Sequence, residues 1–229
     1  MIYLDTANLQ RTNVYYKSSV ATVEVNERLA YKIVKRLMDI FGALIGLILL
    51  SPILVFVAIC IKIEDKNSPV FFSQIRVGKN EKEFKMYKFR SMVTDAESKL
   101  GKLLVYNEVS GAMFKMKDDP RVTNIGKFIR KTSIDELPQL FNVLIGDMSL
   151  VGPRPPLPKE VTEYTDFDMQ RLLVTPGCTG LWQASARNSV GFNEMVKLDL
   201  EYIEKRNILF DLMIIFKTIG VLFYSKNAY

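Results

Sequence analysis

IFGALIGLILLSPILVFVAICI, residues 40–61, contains no charged residue. About 20 apolar residues suffice to cross a bilayer as a helix, so the rest of the fold must be arranged around a membrane segment. The run starts too far into the chain, is too long and lacks a small-residue cleavage site, which excludes a secretory signal peptide. A buried core helix seldom stays apolar on every side for this length. A spanning helix is the default, and two features oppose it. Ser51 and Pro52 sit mid-run, where a proline removes a backbone bond and crowds the preceding turn, at about 3 kcal/mol in a straight helix, and commonly kinks it. Both flanks are basic, with Lys32, Lys35 and Arg36 before and Lys62 and Lys66 after, whereas a span concentrates Lys and Arg on the cytoplasmic side. Basic residues at both ends fit a hairpin that enters and leaves the same face. The run by itself leaves the re-entrant and spanning readings both open.

The whole chain has 229 residues, 48% of them hydrophobic, enough for one fair-sized domain. Its formal net charge of +6 suits an anionic partner, whether nucleic acid, an acidic membrane surface or a phosphorylated substrate. There is no histidine. That excludes a Ser-His-Asp triad, a His-ligated zinc and a His general base together. Cys60 and Cys178 form no CxxC pair, which argues against a disulfide framework and fits a reducing compartment. Any acid–base or nucleophilic chemistry falls to Asp, Glu, Lys, Tyr, Ser or Cys.

Three regions follow: an N-terminal extension over 1–30 with a short β-like SVATVEV, the membrane helix over 31–63, and a domain over 64–229. In the last, VFFSQIRVG and FKMYKFRSM read as strands around a turn at GKNEKE. Thr94-Asp-Ala-Glu97 matches a capping box opening a helix through about Leu104. Helices are expected over 125–131 and 135–145, and amphipathic ones over 159–173 and 192–206. VGPRPPLPKE reads as a stiff extended connector and PGCTGLWQASAR as a turn followed by an extended piece. The apolar tail NILFDLMIIFKTIGVLFY carries Asp211 and Lys217. A charge at mid-bilayer costs roughly 2.5–3.5 kcal/mol, so the tail is expected on the membrane surface or packed on the domain. The class is α/β, mostly α.

RKTSIDELPQL, residues 130–140, sets Asp135 and Glu136 side by side. One reading is capping. With a helix starting at Asp135, Pro138 falls in the first turn where its missing N–H does no harm, and both acids suit the positive helix end. The other reading is chemical. A carboxylate at a helix start stays ionised beside a docked phosphate, and it can hold Mg²⁺ or attack a phosphoryl group. A neighbouring Glu can hold or relay a proton. Arg130, Arg154, Arg187, Lys88 and Arg90 are the cations that would neutralise phosphate oxygens, several of them in turn-like or Gly/Pro-marked segments.

These stretches together resemble the bacterial sugar transferase family, the monotopic polyprenyl-phosphate phosphoglycosyl transferases. The matching pieces are KRLMD at 35–39, the apolar run with Ser51-Pro52, PVFFSQIRVG at 69–78 and KFRSM at 88–92. Then come DPRVTNIGKFIRKTSIDELPQLFNVLIGDMSLVGPRP at 119–155, PGCTGLWQASAR at 176–187, and LDLEYI with the DLMIIFKTI tail. The ordered set covers about residues 32–224 and is far more specific than one short motif.

The resemblance implies transfer of a sugar-1-phosphate from a UDP-sugar to undecaprenyl phosphate with release of UMP. It makes Asp135 the nucleophile and a Mg²⁺ ligand, and Glu136 the second acid of a dyad. Arg130, Arg154 and Arg187 would serve the phosphate and nucleotide site, with Lys88 a weaker carry-over. It implies a small monotopic membrane enzyme: a re-entrant helix broken at Ser51-Pro52, interfacial amphipathic helices, and a compact catalytic domain on the cytoplasmic face of the bacterial inner membrane. The transferred sugar is expected to be a plain hexose, galactose or glucose, starting an exopolysaccharide or capsule unit. Membrane lipids are expected partners, a homo-oligomer is left open, and no nucleic-acid motif is present. SAR at 185–187 departs from the family's SGR, and Ala186 lacks the backbone freedom of glycine. The rival reading is a non-catalytic membrane-anchored scaffold of polysaccharide assembly, in which the acid pair is only a cap.

Overall fold

A computed structural model of the chain describes residues 22–25, 28–107, 116, 118–185 and 191–224, with side chains to 221. The first helix, α1 (Leu29–Glu64), is 36 residues long and takes in the entire apolar run. It is the one helix among the described residues long and apolar enough to cross a membrane. Pro52 lies inside it, and the helix continues past it. The carbonyl that Pro52 cannot serve as donor is that of Ile48, four residues back, and Ser51 Oγ donates to that oxygen at 2.8 Å. The Ser-Pro pair thus mends its own gap.

One narrow stripe of α1 faces the protein: Tyr31, Asp39, Ala43, Val57 and Ile61 are buried. The other faces expose Phe41, Leu44, Ile45, Ile48, Leu49, Val55 and Phe56. Both ends of the helix are bonded to the same domain. Near the N-terminus the Arg36 guanidinium donates to the carbonyls of Val143 and Leu144 at 2.6 and 2.7 Å. Asp39 accepts from Ser149 Oγ and Leu150 N, both at 2.9 Å. At the far end Glu64 accepts from the amides of Asn124 and Ile125 at 2.8 and 3.2 Å.

After α1 come β1 (Phe71–Val77) and β2 (Glu83–Phe89), an antiparallel hairpin with Phe71 opposite Phe89 and Val77 opposite Glu83. The strands and the turn between them fall where the alternating pattern places them. α2 (Ala96–Leu103) starts after Asp95 without a side-chain cap, so the expected Thr94–Glu97 box does not form. Asp95 instead pairs with Lys99 at 2.8 Å. α3 (Asn124–Lys131) is capped by Thr123 Oγ1, which accepts from Gly126 N at 3.0 Å.

The chain then reverses at Ser133, which has φ 56°, makes a single 3₁₀ turn over Ile134–Glu136, and enters α4 (Gln139–Ile145). β3 (Ser149–Val151) lies parallel to β4 (Gly177–Thr179), a pairing the sequence pattern did not announce. Between them the proline-dense stretch is irregular to Leu157, and the expected helix over 159–173 is broken into α5 (Pro158–Val161), α6 (Asp166–Met169) and a 3₁₀ turn over Gln170–Leu173. α7 (Leu181–Ser185) replaces the extended piece expected there.

α8 (Phe192–Lys205) and α9 (Ile208–Tyr224) complete the fold. Both pack into the main core, where Val151, Val174, Val196, Ile203 and Ile214 are almost fully buried. Asp211 explains why the apolar tail docks on the domain. It is fully buried and accepts from Tyr31 Oη, Lys35 Nζ and Tyr202 Oη at 3.1, 3.0 and 2.7 Å. A carboxylate so paired belongs in protein, not lipid. Part of the N-terminal extension also docks: Val23 N donates to Gln170 Oε1 at 2.6 Å, and Val23 and Val25 lie on the same core.

Candidate active site

Asp135 and Glu136 do not cap α4. Pro138 occupies its N-cap position, no side chain bonds to its first amides, and the acids occupy the 3₁₀ turn just before it. The capping reading therefore loses its geometric basis. The two acids also point to different surroundings. Asp135 is 8% exposed. The Glu136 side chain is 46% exposed in a cleft and accepts from Lys88 Nζ at 2.6 Å.

Three contacts build this arrangement. Asn142, fully buried on α4, clasps the edge of β2: its Oδ1 accepts from Tyr87 N at 3.0 Å and its Nδ2 donates to Lys85 O at 2.7 Å. That fixes Lys88 against the acid turn. Gly126 on α3 lies so close to Ser91 that a Cβ there would stand 2.0 Å from the Ser91 carbonyl oxygen. The close approach lets Arg130 Nε donate to Ser91 Oγ at 2.9 Å. Gly152 and Gly177 likewise touch backbone to backbone, a Cβ on Gly177 falling 2.0 Å from Gly152 N. The crossing brings the GPRP and PGCTG segments together.

The resulting cleft is lined by Arg76, Met86, Lys88, Glu136, Gln139, Arg154, Pro155, Gly177, Cys178, Trp182 and Gln183. Of the residues singled out in the sequence, Lys88, Glu136 and Arg154 share this wall. Asp135 and Arg130 stand immediately beside it, close enough for Lys88, Glu136 and Arg130 all to act on the charge of Asp135. Arg90 is held elsewhere: its Nε donates to Pro69 O at 3.0 Å and its guanidinium lies 5.7 Å from the Phe72 ring centre. Arg187 and Ala186 lie outside the described residues.

Burial pushes the Asp135 carboxyl up to about 6, with Glu136 adding to the rise and Lys88 and Arg130 opposing it. Glu136 moves the other way. Burial would raise it too, but Lys88, then Arg154 and Arg76, hold it below the usual carboxylate range. Two adjacent carboxyls with pKa values driven apart, beside a cationic wall, are what a two-acid phosphate site needs. Mg²⁺ is typically held by one or two carboxylates, with water and substrate phosphates completing the shell. Glu136 in the wall of the basic cleft and Asp135 beside it fit that donor set, and among the described residues no group of three acidic, cysteine or histidine ligands forms a complete cage.

The profile of the bacterial sugar transferase family matches residues 30–225. The chain belongs to the bacterial sugar transferase family. Within it, the chain is 46% identical over 226 residues to the galactosyl transferase CpsE of Streptococcus agalactiae, covering 98% of this chain and 50% of that protein. It is 43% identical to an undecaprenyl-phosphate galactose phosphotransferase of Salmonella typhimurium, over 86% of this chain and 42% of that protein. It is 39% identical to the exopolysaccharide production protein ExoY of Rhizobium meliloti, over 85% of this chain and 88% of that protein. The chain thus spans about half the length of the first two relatives and most of the length of the third.

Sequence reasoning missed Arg76, Trp182 and Gln183 as cleft residues. For Arg76 a signal existed. In the hairpin register Lys88 faces Phe72 and Arg76 faces Phe84, so residues 76 and 88 share one face of the two-stranded sheet.

Proposed function

We propose that this sugar transferase moves a sugar-1-phosphate from a UDP-hexose, galactose or glucose, to undecaprenyl phosphate, releasing UMP and starting an exopolysaccharide or capsule unit. The observation that carries the proposal is the pairing of a shielded Asp135 with a lysine-held Glu136 beside a cleft of Lys88, Arg76 and Arg154. Two relatives named for galactose support the hexose.

The reaction is a double displacement. An Asp135 carboxylate oxygen attacks the β-phosphorus of the nucleotide sugar. The Oδ–P bond forms as the bond from phosphorus to the bridging oxygen breaks, and UMP leaves with that oxygen and its electron pair. An oxygen of the lipid phosphate then attacks the same phosphorus and expels the Asp135 carboxylate, giving the lipid diphosphate sugar. Lys88 and Arg154 neutralise phosphate oxygens throughout, and Lys88 keeps Glu136 ionised. Mg²⁺, held by Asp135 with the substrate phosphates, would supply further neutralisation of the diphosphate.

We also propose that α1 enters and leaves one face of the inner membrane, with the domain on the cytoplasmic side. Arg36 caps the last turn of α4 and Glu64 caps the first turn of α3. A straight helix between these positions would measure about 42 Å, comparable to a whole bilayer. Its two ends meet neighbouring helices of one domain, which is difficult to reconcile with a bilayer between them. The basic flanks then both lie at one headgroup layer and attract the anionic lipid substrate.

The test is UMP release from a panel of UDP-sugars with undecaprenyl phosphate and Mg²⁺ in detergent, comparing wild type with Asp135→Asn. Release that depends on lipid, metal and Asp135 is expected. A well-folded preparation that shows none above the Asp135→Asn background, with any sugar, returns the protein to the scaffold reading.

A further inference from the structure

Arg76 is a buried cation without an anion. Its side chain is on β1, 6% of the residue is exposed, and it lines the cleft. Its Nη1 donates to Pro155 O at 3.1 Å and its Nη2 to Gln74 Oε1 at 2.7 Å, both neutral acceptors. Its Nε has no partner. Among the described residues no carboxylate lies within ion-pair distance of it. Two other buried arginines differ in this respect: Arg121 has Asp119 at 2.6 Å and Arg171 has Asp199 at 2.7 Å.

A guanidinium taken out of water without a counter-charge is costly, and here the neighbourhood adds to the cost. After burial itself, the charge of Arg154 is the largest influence lowering the pKa of Arg76, to about 10. The group therefore stays charged at neutral pH, next to a like charge. Glu160 and Glu136 act on it more weakly, and Glu136 already pairs with Lys88. Lys88 has Glu136 as its ion-pair partner, and Arg76, on the same cleft, has no carboxylate at that distance among the described residues.

We infer that Arg76 is a phosphate-binding residue of this cleft, its guanidinium taking an oxygen of a substrate phosphoryl group alongside Lys88 and Arg154. The identity of that phosphate rests on the proposed function: it belongs either to the sugar-nucleotide diphosphate or to the lipid phosphate. The bonds to Pro155 O and Gln74 Oε1 keep the planar group oriented, which suits oxygen recognition by a rigid fork.

The test uses the full chain in detergent, as wild type, Arg76→Gln and Arg76→Lys. The first readout is the rise in melting temperature caused by inorganic pyrophosphate over sodium chloride of equal ionic strength. The rise is expected in wild type, smaller in Arg76→Lys and absent in Arg76→Gln. The second is KM for the UDP-sugar and for undecaprenyl phosphate, each with the other saturating. One of the two should increase roughly tenfold or more, the size of a lost charge-assisted hydrogen bond. The substrate affected identifies the phosphate. Lysine keeps the charge and can still reach Pro155, so Arg76→Lys decides the matter if the glutamine variant does not fold. If wild type releases no UMP, the proposed activity fails while the pyrophosphate readout still tests this residue. Unchanged pyrophosphate response, or wild-type KM for both substrates where activity is present, makes Arg76 a strut for Pro155 and overturns the inference.

Discussion

Lys88 Nζ stands 2.6 Å from Glu136 Oε1, and this pairing gives the two neighbouring acids opposite characters. Glu136 is held ionised, while Asp135, shielded from solvent and next to that negative charge, is pushed up to about 6. In the proposed double displacement, attack on phosphorus requires the Asp135 carboxylate. The activity should therefore rise with pH through about 6 in a profile of kcat/KM, which reports the free enzyme. Lys88→Met removes the strongest influence lowering Asp135 and takes from Glu136 its ion-pair partner. Its acid limb should move to higher pH. A limb that stays in place would detach the rate from Asp135 ionisation.

The same shift fixes a stability prediction. The carboxyl of Asp135 has an ordinary value of 3.8 and a folded value near 6, so the folded chain binds the proton more tightly than the unfolded one. The stabilising contribution is full below pH 3.8 and is lost as pH rises through about 6. At pH 7.5 the ionised group is a net cost. Asp135→Asn should abolish transfer yet raise stability at pH 7.5 by about 1–3 kcal/mol, the gain shrinking toward pH 4. Chemical denaturation at both pH values measures it. A variant less stable than wild type at pH 7.5 contradicts the pKa assignment.

Asn142 tests how the cleft is assembled. Its amide is the only described side-chain link that satisfies both Tyr87 N and Lys85 O. Asn142→Leu keeps the branched outline and the number of side-chain heavy atoms but leaves two backbone groups of β2 unpaired. Burial of each unpaired group costs about 1–3 kcal/mol. The variant should melt earlier and lose activity beyond what its folded fraction explains, because β2 carries Lys88. Normal kcat/KM in the folded fraction would show that α4 alone positions the acids.

Legibility in the sequence followed the range of the interactions. The hairpin and α3 depend on local periodicity and caps and stand within about three residues of expectation, whereas the apolar run forms one helix that continues through Pro52 where a break was expected. The parallel pairing of Ser149–Val151 with Gly177–Thr179 joins distant short segments whose three residues each show no usable period. The helix expected over 159–173 failed because Thr165 begins a new cap, its Oγ1 accepting from Asp168 N, and splits the amphipathic pattern. At the site, Lys88, Glu136 and Arg154 were readable as charges suited to a phosphate, and the structure brings them to one cleft. Arg76 was not readable in this way, since inside a strand it looks like an ordinary solvent-facing residue until the register puts it on the same face of the hairpin as Lys88. Arg90 shares KFRSM with Lys88 but is not among the residues that line the cleft; it is bonded to Pro69 and lies over Phe72.

Ser51 is the most direct test of the membrane segment. Its hydroxyl donates to Ile48 O at 2.8 Å, the carbonyl left unserved by Pro52. In water, Ser51→Ala would hardly matter, because solvent would replace the hydroxyl. In hydrocarbon nothing replaces it, and the freed carbonyl costs on the order of 1–3 kcal/mol. Ser51→Ala should therefore destabilise the protein in lipid nanodiscs, and Ser51→Thr should restore it by keeping the donor. Pro52→Ala offers the opposite control: it returns an amide to Ile48, removes the need for the serine, and straightens any bend. In that background Ser51→Ala should be neutral. If Ser51→Ala costs nothing in bilayers while the helix remains membrane-bound, then water reaches Ile48, and the Ser51–Pro52 turn lies in the headgroup layer, not in the hydrocarbon.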